Sequence, residues 1–83
     1  MTVEDLKAFR EAAKLTQSGM ADLMGLGLSA YQDLESGLSK LKVRHQLAIE
    51  RASLRLAVER GDINLAMASV RRDALDLAKL ITG

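Results

Sequence analysis

The chain has no cysteine, so neither a disulfide nor a thiolate metal site can staple it. Its single histidine excludes a His-rich metal cluster. It has no proline, no tryptophan, one tyrosine and one phenylalanine. No apolar stretch reaches the roughly 20 residues of a membrane span. The opening residues Met1, Thr2, Val3, Glu4 and Asp5 turn acidic at once, unlike a signal peptide. The expectation is a cytoplasmic protein with no membrane contact, cofactor, metal or small-molecule ligand. Alanine and leucine make up most of the 48% hydrophobic content, which points to an all-α fold. At 83 residues, one domain with a modest core is expected.

A net charge of +1 does not decide for or against nucleic acid, but its distribution is more informative. Acidic residues outnumber basic ones up to residue 37. From 38 to 62, Lys40, Lys42, Arg44, Arg51, Arg55 and Arg60 stand against Glu50, Glu59 and Asp62. A local basic patch matters more for phosphate than the sum over the chain.

Apolar periodicity and end signals predict five helices. The first spans about Val3 to Lys14, capped by Thr2, with Leu6, Phe9 and Ala13 inward. Thr16 caps a second from Gln17 to Met24, with Met20, Ala21, Leu23 and Met24 inward. Gly19 inside it costs roughly 1 kcal/mol relative to alanine. Gly25 ends it. A third runs from Leu28 to Ser36, with Tyr31 and Leu34 inward and Gly37 at its end. A fourth covers Val43 to Arg60, with Val43, Leu47, Leu54, Ala57 and Val58 on or near its apolar face and Ile49, Ala52 and Leu56 broadening it. Gly61 and Asp62 read as a stop and a restart before a last helix from Ile63 to Ile81.

The second and third helices are short and joined by a glycine-containing turn, the pattern of a helix-turn-helix. Ala21 is small where two helices must cross closely. Tyr31 and Leu34 can be buried together, leaving Leu28, Ser29, Gln32 and Asp33 free to meet a partner. A catalytic reading is weak: there is no nucleophilic triad, and Gly25, Leu26, Gly27 lack the strand and third glycine of a dinucleotide site.

Residues Leu15, Thr16, Gln17, Met20 to Leu23, Gly25 and the run Tyr31 to Gly37, ending Leu-Glu-Ser-Gly, carry a resemblance to a family. Over about residues 3 to 58 the chain resembles the XRE, or lambda-repressor-like (Cro/CI), helix-turn-helix regulators. The resemblance implies a five-helix fold. Residues 1–60 would form the DNA-binding domain, with the motif at 17–36, and residues 61–83 a C-terminal helix that packs or dimerises. The third helix would enter the major groove of double-stranded DNA while the second lies across the backbone. Leu28, Ser29, Gln32 and Asp33 would then face base edges. Gln17 would touch a phosphate. Ser36, Ser39, Lys40, Lys42 and Arg44 would follow the strand as further phosphate contacts, and Arg10 and Glu35 would form a structural ion pair.

Some positions depart from the family's habit. Leu28 is commonly polar, Gly27 replaces a serine or threonine cap, Gly19 a usually acidic residue, and the third helix has no lysine or arginine. Phosphate contacts are therefore expected to carry much of the affinity. His45 is read as a surface residue without chemistry.

Ile63, Met67, Val70, Ala74, Leu77 and Ile81 step by 4, 3, 4, 3 and 4, a heptad seam. It can fold back on the first and fourth helices or pair with another copy; major-groove readers usually act as twofold pairs, which favours a homodimer. A short chain without room for a sensing domain is expected to be a repressor that covers a promoter, possibly its own. The alternative is a protein-interaction module of the same family, such as an antitoxin binding a toxin or a subunit binding transcription machinery, with Leu28 exposed for the purpose.

Overall fold

In the computed structural model, which describes residues 1–82, all regular structure among the described residues is helical. Five α-helices follow in order: α1 (Val3–Ala12), α2 (Gln17–Met24), α3 (Leu28–Ser36), α4 (Val43–Arg60) and α5 (Ala68–Thr82). A 3-10 turn, Ile63–Leu65, precedes α5.

The helix starts are set by side-chain oxygens. At α1 the Thr2 hydroxyl accepts from the Asp5 N–H (3.1 Å), and the Asp5 carboxylate accepts from the Thr2 N–H (2.9 Å). This reciprocal box satisfies two donors that have no partner in the helix. At α2 the Thr16 hydroxyl accepts from the Gly19 N–H at 2.9 Å. A side chain at Gly19 would start 3.2 Å from that same hydroxyl. The glycine that weakens α2 by propensity thus leaves room for its cap.

Gly25 ends α2 in the left-handed conformation (φ 71°), which a side chain disfavours. α1 ends without a glycine: Lys14 itself takes a positive φ of 56°. The helix stops two residues short of the expected Lys14 for that reason. The Arg60 guanidinium then donates to the Ala13 carbonyl at 2.6 Å, tying the end of α4 to the end of α1.

The core gathers Leu6, Phe9 and Ala13 from the first segment, Met20, Ala21 and Met24 from α2, Tyr31 and Leu34 from α3, and Ile49 and Leu56 from α4. α2 packs against α3 and α4, and α1 against α3. Ala21 is buried where α2 meets its neighbours, as a close crossing requires.

Two expectations fail here. The buried face of α4 is His45, Ile49, Ala52, Ser53, Leu56 and Ala57. Val43, Leu47 and Val58 are exposed, and Leu54 is half-buried. Ile49, Ala52, Leu56 and Ala57 are buried as expected, but the period ran this stripe together with the exposed Val43, Leu47 and Val58 as one broad face. Leu23 is also largely exposed.

The last helix is not continuous from Ile63. Asp62 caps only a 3-10 turn through the Asn64 N–H (3.0 Å). Ser53, fully buried, donates to the Glu50 carbonyl (2.7 Å) and accepts from the Met67 N–H (3.1 Å), so α4 fixes the chain just before α5 begins. Ile63 and Met67 therefore lie outside the helix that carries Val70, Ala74, Leu77 and Ile81. α5 packs on α4 yet contains no fully buried residue.

Candidate nucleic-acid interface

α1 and α3 are joined by a bidentate ion pair. Arg10 Nε donates to Glu35 Oε2 at 3.0 Å, and Nη2 to Oε1 at 2.7 Å. Arg10 Nη1 also donates to the Leu15 carbonyl at 3.2 Å. The Glu35 side chain is 7% exposed and that of Arg10 19%. Burial alone would push the Glu35 carboxyl up; the Arg10 guanidinium, with the Tyr31 hydroxyl and Gln17 amide beside it, outweighs this and holds it below the usual value. Glu35 in turn keeps Arg10 charged more firmly. The Tyr31 hydroxyl is buried without a well-formed hydrogen bond, and burial beside the carboxylate pushes its pKa up.

From Glu35 a chain of two amides runs out to the surface. Gln17 Nε2 donates to Glu35 Oε1 over a long 3.4 Å, and Gln32 Nε2 donates to Gln17 Oε1 at 3.2 Å. A carboxylate can only accept, so Gln17 must turn its NH₂ inward and its carbonyl outward. That polarity makes Gln32 the donor in the second bond. Gln32 is left with its own Oε1 and one N–H, the acceptor and donor that match adenine N6 and N7. Gln17 keeps one amide N–H uncommitted.

Leu28, Ser29 and Gln32 are exposed together on α3, with Leu28 at 44%. Asp33 is half-buried and lines a separate recess with Ser39, Lys40, Lys42, Arg44 and His45. Asp33 lies one helical turn after Ser29 on α3 and also borders the basic segment. Ser36 is exposed and donates to the Asp33 carbonyl at 3.3 Å. The Ser39 N–H donates to the same carbonyl at 3.0 Å, folding the segment back along the end of α3.

His45 overturns its reading as a surface residue: it is buried, and Nδ1 accepts from the Lys42 N–H at 3.0 Å. The signal available in the sequence was its place three residues after Lys42, the residue that caps α4, from where a side chain can reach back. Burial, then the nearby Arg44 and Lys42, push its pKa below the ordinary value. A group with a depressed folded pKa stabilises the fold above its unfolded value, about 6.5, and loses that contribution as pH falls through the folded value. Thermal melts are expected to fall between pH 7 and 5. His45→Gln, which keeps an acceptor but no titration, should flatten that fall; an unchanged slope would show that another group is responsible.

A family model described as helix-turn-helix matches residues 6–52, more than half of the chain. This chain belongs to the XRE, lambda-repressor-like helix-turn-helix family. No curated protein and no solved structure matches it. As a lambda-repressor-like protein it carries a DNA-binding regulatory domain, and the matched span includes α2, α3 and the basic segment. Among the described residues, no helix is long and apolar enough to cross a membrane.

Proposed function

We propose that this protein is a sequence-specific transcriptional repressor that binds a palindromic operator as a homodimer and acts on its own promoter. The observation that carries the sequence-specific part is the Glu35–Gln17–Gln32 chain, which presents an oriented amide on an exposed helix face. α3 is the reading helix. Gln32 takes adenine, Ser29 reads beside it, and Leu28 packs on a thymine methyl.

Anchoring falls to the segment after α3. Lys40, Lys42 and Arg44 surround the start of α4, which has no side-chain acceptor on its first N–H groups beyond the His45–Lys42 contact. A helix N-terminus attracts anions, and the adjacent lysines and arginine add full charges. Ser36 and Ser39 follow α3 into the same segment. The repressor reading follows from DNA coverage: a dimer seated on two half-sites about 34 Å apart blocks a promoter without further parts.

The test is titration of labelled DNA from upstream of the protein's own gene, with a scrambled duplex alongside, at several salt concentrations. Tight binding that prefers the upstream duplex is expected. Lys42→Ala should weaken binding to both duplexes and reduce the salt slope by about one unit. Equal binding to both duplexes would remove the self-repression reading. Binding to neither at low salt would favour a protein partner at Leu28 instead.

A further inference from the structure

α3 has a recess on each flank. One is lined by Ala30, Asp33 and Leu34 of α3 and holds Lys40, Lys42 and Arg44. The other is lined by Gln32, Glu35 and Ser36 of α3, by Gln17 at the start of α2, and by Lys7 of α1. At 3.6 residues per turn, the two sets of α3 residues face nearly opposite ways.

The second recess carries a surplus positive charge. Glu35 is 7% exposed and held bidentately by Arg10, so those two charges cancel locally. Lys7 is exposed and makes no ion pair among the described residues. Its ammonium is left over. Beside it are the uncommitted amide N–H of Gln17 and the Ser36 hydroxyl.

We propose that Lys7 and Gln17 seat a backbone phosphate of the second DNA strand, on the side of α3 opposite Lys40, Lys42 and Arg44. The inference rests on the DNA-binding reading above and extends its contact surface to α1, outside the helix-turn-helix. The major groove is about 12 Å wide, and a helix with its side chains is about 10–12 Å across. A helix seated there has a row of phosphates close to each flank. The segment after α3 reaches one row, and Lys7 is the cation bordering the other flank. The ammonium takes a phosphate oxygen as a point charge, and the amide adds one directed hydrogen bond. Contacts to both rows fix the orientation of α3 and hold Gln32 against its base, without reading sequence themselves.

Lys7→Ala changes one exposed side chain for a residue of high helix propensity, so circular dichroism should stay unchanged. Titrated against the upstream and scrambled duplexes, the variant should lose about 0.9 of salt slope on both. The wild-type advantage should therefore shrink about 3- to 4-fold between about 50 and 200 mM salt. Lys7→Arg should keep the slope, and so should Lys79→Ala, which removes an exposed lysine from α5. Duplexes neutralised at single phosphates by methylphosphonate place the contact. The phosphate whose neutralisation no longer weakens binding in Lys7→Ala should lie on the strand opposite the one found with Lys42→Ala. An unchanged slope in Lys7→Ala beside a reduced one in Lys42→Ala would overturn the seat and leave the DNA-binding reading standing. Equal losses from Lys7→Ala and Lys79→Ala, or both contacts on one strand, would overturn it too. A wild type that binds neither duplex would remove the DNA-binding reading and this seat together.

Discussion

Glu35→Ala is expected to lower the melting temperature by about 12–24 °C. The substitution strands the Arg10 guanidinium, whose side chain keeps only 19% of its exposure. Removing one member of a buried pair costs about 3–5 kcal/mol, and the residual exposure of Arg10 sets the lower end, about 3 kcal/mol. Each kcal/mol corresponds to about 4–8 °C in a domain of this size. The cost belongs to the stranded charge rather than to the lost attraction. The double variant Arg10→Met with Glu35→Leu should therefore recover most of the loss. If the double variant melts as low as Glu35→Ala, the pair itself stabilises the fold and this account of the α1–α3 joint is wrong. The acid limb should show the same pair. With its folded pKa held down, Glu35 stabilises above its unfolded value and loses that contribution as pH falls through the folded one, below the histidine window.

Gln32→Ala should reduce the preference for operator over scrambled DNA by about 5- to 150-fold, the equivalent of ~1–3 kcal/mol for a bidentate contact. Gln17→Ala should remove part of that preference, because Gln32 then loses the acceptor that fixes its amide. The two losses should combine to less than their sum, since the second residue acts through the first. Competition titrations on the single and double variants measure this. Additive losses would mean that Gln17 and Gln32 meet the DNA independently.

Much of this was legible in the sequence, and the reasons differ by residue. Thr2, Thr16 and Gly25 act locally, so their roles follow from residue chemistry alone. Tyr31, Leu34 and Ala21 were legible because a helix-turn-helix leaves few ways to bury its inner faces. Arg10 and Glu35 stand 25 residues apart, and only the family resemblance joined them before the 2.7 Å contact did. The two-amide chain was not legible, because it depends on the side chains of α2 and α3 meeting at particular angles. α4 misled because both its stripes are apolar. A period identifies a face but not its neighbour, and the buried one includes His45 and Ser53, which a hydrophobic count passes over. The last helix misled for a related reason: the seam ignores the 3-10 turn, where Asp62 and Ser53 hold the backbone out of register.

Tyr31 is the only tyrosine in a chain without tryptophan, and it is fully buried beside the Glu35 carboxylate at the joint of α1 and α3. Intrinsic ultraviolet emission therefore arises at one place, the seat of the reading helix. Far-ultraviolet dichroism sums over all helices, including the exposed α5. The two signals watch different parts of one molecule, and any gap between their melting curves is a direct reading of how far the last helix opens before the motif does.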